Sequence, residues 1–202
     1  MSNFPNIEFL PDFKRLDPSH PKLMNIGLLC VDLENIVVPY GGSKPDSVYR
    51  DQIAELIDSG INVVGISNTT DSNRAHEIGD MLGMEGVINK GLPKDPERPG
   101  TFRSKSFPDM FVHAVEVFEY GKNGSKAAMV DDQLKNVQGC SQVDEFSTYF
   151  WTFPNYFSSQ HRGVLLGRAV EVPVGFGFIA AQKAVKAIQF IPKLKNGQYG
   201  EW

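Results

Sequence analysis

The sequence predicts a three-layer α/β domain with a central parallel sheet. Two observations lead to this prediction. Short runs of consecutive apolar residues alternate along the chain with amphipathic stretches of helical length. Each apolar run is continuous, which is typical of a strand buried on both faces, as the strands of a parallel sheet are. Strands that alternate with helices at this spacing indicate βαβ units.

The first half of the chain supplies three such strands and two helices. Residues 1–25 contain several prolines and predict an irregular, extended lead-in. The following elements are predicted in order: a strand at 26–32 (IGLLCVD), a helix at 46–60 capped by Asp46 or Ser47 and ended by Gly60, a strand at 61–67 (INVVGIS), a helix at 71–82 ended by Gly83, and a strand at 85–89 (EGVIN).

The second half continues the alternation after a polar loop at 90–106, which is crowded with Pro, Gly and basic residues. The predicted elements are a helix at 108–120, a strand at 126–132, a helix at 134–140, a further strand near 147–152, and two helical stretches within 161–192. This pattern divides the chain into the lead-in at 1–25, a core domain at 26–157 and a helical C-terminal extension at 158–202.

Size and composition exclude several classes of protein. The chain has 202 residues, of which 41% are hydrophobic and 22% are charged, so one domain with a real core is expected. The formal net charge of −4 argues against a nucleic-acid-binding protein, since such proteins are usually basic. Two cysteines make neither a disulfide scaffold nor a cysteine zinc site. The sequence shows no secretory signal and no apolar run near 20 residues, so we expect a cytoplasmic protein.

Polar residues follow three of the predicted strands at the ends where ligands bind in open parallel sheets. The first strand ends in Asp32 and is followed by Glu34; the second ends in Ser67-Asn68 and the fourth in Asp131-Asp132. The loop after the third strand carries five basic residues, namely Lys90, Lys94, Arg98, Arg103 and Lys105. Acids, a hydroxyl group and a lysine are therefore expected to meet at one edge of the sheet.

This set of side chains suits phosphoryl transfer through an aspartyl-phosphate. One carboxylate attacks phosphorus, and a second protonates the leaving oxygen and later activates water. Acids on a neighbouring strand hold Mg²⁺, which prefers oxygen ligands. A hydroxyl group and a lysine bind the phosphoryl oxygens.

The same residues resemble the motifs of the haloacid-dehalogenase (HAD) superfamily, and most closely its phosphatidylglycerophosphate-phosphatase-like branch, the YqeG type. The four motifs occur in the family's order: VDLENIVVPYGG at 31–42, GISNTTDSN at 65–73, KSFPDMFVHA at 105–114 and MVDDQLKNVQGC at 129–140. The lead-in FLPDF at 9–13 is also similar to that branch. The resemblance implies a Rossmann-like HAD fold for the core.

The resemblance also implies roles for single residues. Asp32 corresponds to the nucleophile and Glu34 to the general acid/base. Ser67 and Asn68 correspond to the residues that hold the phosphoryl group, and Lys105 to the lysine that neutralises it. Lys90 is a competing candidate for that lysine.

The implied cofactor is Mg²⁺. Its ligands would be Asp32, Asp132 and the backbone carbonyl of Glu34, and Asp131 or Asn136 would support Asp132. The chain departs from the family pattern at two positions: Glu34 stands where the family has Asp, and Ile36 stands where it has Thr. These departures support an alternative, a HAD-fold binding or scaffold protein with weakened turnover. A flavodoxin-like binding protein is disfavoured, because no Ser/Thr/Gly-rich phosphate loop follows the first strand.

The expected partner is a phosphomonoester substrate, for which the resemblance implies phosphatidylglycerophosphate. A lipid-linked substrate requires peripheral contact with a membrane. The basic loop at 90–105 and the apolar, basic-flanked tail at 162–190 are the candidates for that contact. No nucleic-acid partner is expected, and the sequence leaves the oligomeric state open.

Overall fold

A computed structural model describes residues 7–91, 93–95 and 98–152 of the chain. All of them belong to one compact unit, Met1–Tyr156. The predicted C-terminal helical extension at 158–202 lies outside the described residues and stays a prediction.

The described chain forms eight strands and four α-helices. The strands are β1 (Ile7–Leu10), β2 (Ile26–Asp32), β3 (Asn62–Ser67), β4 (Gly86–Asn89), β5 (Pro93–Asp95), β6 (Arg98–Thr101), β7 (Lys126–Asp131) and β8 (Phe146–Thr152). The helices are α1 (Ser47–Asp58), α2 (Ser72–Leu82), α3 (Asp109–Val117) and α4 (Leu134–Cys140). Six strands form one sheet in the order β1-β8-β7-β2-β3-β4, and every pair in it is parallel. The predicted α/β class with a central parallel sheet is confirmed.

The strand order places a topological switch point between β2 and β7. From β2 the chain moves outward through β3 to β4, and then returns to the other side of β2 to add β7 and β8. The registers pair Cys30 with Met129 and Val31 with Val130, so the carboxyl ends of β2 and β7 lie side by side. A crevice at such a point is the usual ligand site of an open α/β sheet.

Helices cover the sheet on both faces. Alternate residues of β2 face opposite sides: Leu29 and Val31 pack in a cluster with residues of α1 and α2, whereas Leu28 and Cys30 pack in a cluster with residues of α3 and α4. All seven residues of β2 are buried. This explains why its sequence is continuously apolar rather than alternating, and it gives the predicted three layers.

Capping residues begin and end the helices as the sequence indicates. The side chain of Asp46 accepts a hydrogen bond from the Val48 amide at the start of α1 (3.3 Å), and Asp71 accepts one from the Arg74 amide at the start of α2 (3.0 Å). Gly83 ends α2 with a φ of 71°, a left-handed conformation that glycine adopts without strain.

The prediction that residues 1–25 form an irregular lead-in is wrong in one respect. Residues Ile7–Leu10 form the edge strand β1, which pairs in parallel with β8. The ring of Phe9 lies 5.2 Å from that of Trp151, and Phe13 and Leu16 are buried beyond the strand. A four-residue strand between proline-containing segments is too short to show the periodicity on which the prediction relied.

The prediction of a loop at 90–106 misses two short strands, since β5 and β6 pair within it as an antiparallel hairpin. The helix predicted at 108–120 ends earlier, at Val117, and the strand predicted at 126–132 ends at Asp131. Among the described residues, no helix is long and apolar enough to cross a membrane.

Because β2 lies in the centre of the sheet, substitutions in this strand should affect the free energy of unfolding most strongly. We expect Leu29→Ala to lower the free energy of unfolding by about 2–5 kcal/mol, because Leu29 is fully buried and truncation leaves a cavity. Val48→Ala on the exposed side of α1, where Val48 is 40% exposed, should change it by less than about 0.5 kcal/mol. Urea unfolding followed by circular dichroism measures both; equal effects would contradict the central role of β2.

Candidate functional site

Three aspartates meet at the switch point. Asp32 is the last residue of β2, Asp131 is the last residue of β7, and Asp132 follows it directly. One carboxylate oxygen of each lies within 4.8 Å of those of the other two, and all three residues are buried. Adjacent parallel strands that end at the same level bring these acids together, as the sequence predicts.

Lys105 enters the same site. Its side chain is only 1% exposed, and its Nζ lies 2.6 Å from Asp32 Oδ1 and 2.7 Å from Asp131 Oδ2. The Asn68 side-chain oxygen accepts a hydrogen bond from the Lys105 backbone amide (2.8 Å). The structure therefore brings Lys105 to the acids, whereas Lys90, the competing candidate, lies at the end of β4 with its amide bonded to the Ser67 carbonyl oxygen.

A glycine in α4 allows the Lys105 segment to reach the site. A Cβ atom at Gly139 would lie 2.3 Å from the Lys105 carbonyl oxygen and 2.7 Å from the carbonyl carbon of Ser106. No real Cβ approaches backbone atoms this closely, so a larger residue at Gly139 would displace the segment that carries Lys105. The sequence analysis missed this residue, although a glycine inside a predicted helix is a signal of close packing.

The carboxylate of Asp131 is fully occupied by protein groups. Its Oδ1 accepts from the Gln133 amide (2.7 Å) and from Asn136 Nδ2 (2.9 Å); its Oδ2 contacts Lys105 Nζ and accepts from Asn136 Nδ2 (3.0 Å). A metal ion bound to Asp131 would have to replace one of these partners. The geometry therefore favours Asp131 as the residue that orients Lys105, supported by Asn136.

Asp32 and Asp132 are better placed to offer ligands. Lys105 contacts Oδ1 of Asp32, and no described residue donates a hydrogen bond to Oδ2. Asp132 Oδ2 accepts from Asn35 Nδ2 (3.2 Å), and the Asp132 backbone carbonyl accepts from the Trp151 indole (3.0 Å), which fixes its backbone. These two residues supply carboxylate oxygens of the kind that hard divalent cations prefer.

Burial and neighbouring charges shift the pKa values of Asp32 and Lys105. Burial raises the pKa of Asp32 well above its usual range because it disfavours the charged carboxylate; Lys105 opposes this rise, whereas Asp131 and Asp132 add to it. Burial alone would lower the pKa of Lys105, but the attraction of Asp131 and Asp32 outweighs it and raises that pKa. The lysine therefore remains charged.

The charge balance of the site fits a divalent cation. Three carboxylates against one ammonium group leave a net charge of −2 when all four are ionised. Buried like charges repel one another unless a cation lies between them. The three-aspartate group could hold a metal ion, and its oxygen donors are of the type that binds Mg²⁺, Mn²⁺ or Ca²⁺.

The predicted phosphate-binding residues lie at the neighbouring strand end. Ser67 is the last residue of β3 and is fully buried, and its hydroxyl oxygen accepts a hydrogen bond from the Thr69 amide (3.1 Å). The side-chain oxygen of Asn68 is engaged by Lys105, as described above. In this structure Asn68 positions the lysine segment, and a phosphate-binding role for Ser67 and Asn68 stays a prediction.

Glu34 pairs with a residue of α2 rather than with the charged groups of the acid cluster. Its carboxylate forms an ion pair with Arg74 in the first turn of α2. The next residue, Asn35, adopts a left-handed conformation (φ 68°) and directs its side chain to Asp132. Ile36 is fully buried in the core, which explains why an apolar residue is tolerated there. Arg74 and Asn35 were both missed, since contacts between distant segments leave no pattern in the sequence.

Comparison with protein-family models, with curated proteins and with solved structures gives no match to this chain.

The charge balance of the aspartate cluster can be tested through Asp132→Asn. The substitution removes one negative charge, so without divalent cations it should raise the Tm by about 2–4 °C, which corresponds to roughly 1 kcal/mol at this chain length. Mg²⁺ should raise the Tm of the parent by binding the folded state, and this increase should be largely lost in the variant. Differential scanning calorimetry with and without Mg²⁺ measures both effects.

Asp58→Asn is the matched control, because Asp58 is exposed at the end of α1 and remote in sequence from the cluster. Its Tm should respond to Mg²⁺ as the parent does. If Mg²⁺ raises the Tm of Asp132→Asn and of the parent equally, the aspartate cluster is not the metal site.

Proposed function

We propose that the chain is a Mg²⁺-dependent phosphomonoester hydrolase of the haloacid-dehalogenase type that works through an aspartyl-phosphate. The observation that carries the proposal is the position of Lys105, which lies buried between Asp32 and Asp131 with Asp132 beside them. A nucleophilic acid, a metal-binding acid and a lysine at one switch point are the groups that phosphoryl transfer on a carboxylate requires.

In the first step, Oδ2 of Asp32 forms a bond to the phosphorus of the substrate. The bond from phosphorus to the ester oxygen breaks, and the leaving alcohol takes a proton from Glu34. The shared contact of Lys105 with Asp32 and Asp131 keeps the nucleophile oriented, and the ammonium group offsets charge on the phosphoryl oxygens.

In the second step, a water molecule attacks the phosphorus of the aspartyl-phosphate and gives its proton to Glu34. Inorganic phosphate leaves, and Asp32 regains its carboxylate. Bound Mg²⁺ would supply charge neutralisation for the phosphoryl group, held by Asp32, Asp132 and the Glu34 carbonyl. Ser67, at the end of β3, is the proposed donor to a phosphoryl oxygen.

A second candidate function is binding without turnover on the same fold. The observation that favours it is the ion pair between Glu34 and Arg74. To donate a proton, Glu34 must first take one up, and its contact with Arg74 then becomes a hydrogen bond to a neutral carboxyl group instead of an ion pair. A protein in which the ion pair persists throughout would bind Mg²⁺ and phosphate without hydrolysing an ester.

Phosphate release by the parent separates the two candidates, and Asp32→Asn tests the aspartyl-phosphate. The parent should hydrolyse an aryl phosphate only when Mg²⁺ is present, and the variant should lose this activity, because an amide is a far poorer nucleophile toward phosphorus. Inorganic phosphate release, measured with and without EDTA, is the readout.

Asp58→Asn serves as the matched control and should retain the activity of the parent. A parent that releases no phosphate from any phosphomonoester, yet binds Mg²⁺, would support the binding function. An Asp32→Asn variant as active as the parent would exclude the aspartyl-phosphate.

The proposed substrate class is a lipid phosphomonoester such as phosphatidylglycerophosphate. The motif resemblance at 31–42 and 65–73 is its main support. Of the basic residues in the loop at 90–105, Lys105 is buried in the site and Arg103 is held by Asp109, so neither is a candidate to bind an anionic headgroup. We propose Lys44 and Lys135 instead, which are exposed near the starts of α1 and α4, at the same edge of the sheet as the site.

Vesicle flotation tests this substrate class. The chain should float with phosphatidylglycerol vesicles at low salt and less at physiological salt, since each exposed cation contributes about 1 kcal/mol to binding an anionic surface. Lys44→Glu with Lys135→Glu should reduce flotation. Lys122→Glu should not, because exposed Lys122 lies before β7, at the opposite edge of the sheet.

The matching kinetic arm compares the lipid in detergent with soluble phosphomonoesters. Absence of flotation at either salt, together with a preference for soluble substrates, would contradict the lipid class and leave a phosphatase of soluble substrates.

A further inference from the structure

Arg74 joins three segments beside the candidate site. Its Nη1 donates a hydrogen bond to the Gly42 carbonyl oxygen (2.8 Å). Its Nη2 donates to Thr69 Oγ1 (3.2 Å) and forms the ion pair with Glu34. The planar guanidinium group thus links both ends of the loop that follows β2 to the loop that follows β3.

The position of Arg74 is itself well defined. Asp71 caps α2 by accepting a hydrogen bond from the Arg74 backbone amide, which fixes the first turn of the helix. The side chains of Arg74 and Glu34 are only 16% and 15% exposed, respectively. Hydrogen bonds to charged groups that are shielded in this way are stronger than those at an open surface.

Two consecutive residues of the loop after β2 bind it to two different neighbours. Glu34 reaches Arg74 of α2, whereas Asn35 reaches Asp132 after β7. The left-handed conformation of Asn35 turns the chain between these contacts. Glu34 Oε1 also accepts a long hydrogen bond from the Gly41 amide (3.4 Å), which folds the end of the loop back onto its start.

We infer that Arg74 is a positioning residue that latches residues 33–42 against α2 and thereby fixes the Glu34 carboxylate in one position. Its catalytic consequence rests on the proposed function; the latch itself does not. Arg74 acts through Glu34 and the loop, and it has no part in binding the phosphoryl group.

The latch gives a physical reason for glutamate at position 34. An aspartate carboxylate would end one C–C bond, about 1.5 Å, closer to the backbone. It would therefore be drawn away from the guanidinium group of Arg74. The longer side chain and Arg74 form one unit, so changing either partner should have similar consequences.

The kinetic arm compares Arg74→Met, Arg74→Lys and Glu34→Asp in the full chain with Mg²⁺ and an aryl phosphate. Loss of the latch should lower kcat by about 10²-fold, the effect of misplacing a catalytic group by around 1 Å, with little change in KM. Arg74→Lys should recover part of kcat, because lysine keeps the ion pair with Glu34 but cannot also bridge to Gly42.

The double variant Glu34→Asp with Arg74→Met should be no slower than the slower single variant, since both remove the same contact. Arg50→Met is the matched control, because Arg50 is exposed on α1; it should match the parent. Additive losses in the double variant, or an unchanged or higher kcat in Arg74→Met, would overturn the positioning role.

Amide exchange measured by NMR tests the latch without any turnover. The amides of Gly41 and Gly42 should exchange about tenfold or more faster in Arg74→Met than in the parent, as expected when a hydrogen bond to a charged group is lost. Exchange in β2 should be unchanged, which separates local opening from general destabilisation.

Equal exchange of Gly41 and Gly42 in the variant and the parent would overturn the latch. If the exchange arm gives the expected result but the parent shows no Mg²⁺-dependent turnover, the latch stands and the proposed hydrolase function fails. The two failures are therefore distinguishable.

Discussion

The buried contact of Lys105 with Asp32 and Asp131 is the interaction on which the site depends. A buried lysine stays charged only if acids compensate its charge, and a pair of buried acids stays ionised only if a cation compensates theirs. With Asp132 the site holds three carboxylates, two more negative charges than Lys105 can offset. The arrangement is therefore incomplete as a purely structural ion pair, and a divalent cation would complete it.

The topology of the sheet makes this contact available. Because β3 is added on one side of β2 and β7 on the other, two parallel strands that are distant in sequence end side by side, each with an aspartate. Helices on both faces bury all of β2 and all of β7 except Lys126, so the acids emerge from an apolar sheet with few alternatives to pairing with Lys105. Lys105 lies on a loop, and the close approach of this loop to the site depends on Gly139 and Asn68.

Much of this could be predicted from the sequence, and the exceptions have physical causes. Continuous apolar runs identified β2, β3 and β7, and acids at their ends identified Asp32, Asp131 and Asp132, because both signals are local. The choice of Lys105 over Lys90, the partner of Glu34 and the contact of Asn35 with Asp132 depend on how loops pack, which no periodicity reports. The edge strand β1 was missed because four residues are too few to show a period.

The central claim is that Asp32 accepts a phosphoryl group beside a bound Mg²⁺. Its most direct test is the binding of beryllium fluoride, a mimic of a phosphoryl group on aspartate, followed by ¹⁹F NMR. A bound fluoride signal should appear only when Mg²⁺ is present, and it should be absent from Asp32→Asn. A parent protein that gives no bound signal with Mg²⁺, or a signal that survives Asp32→Asn, would contradict the account.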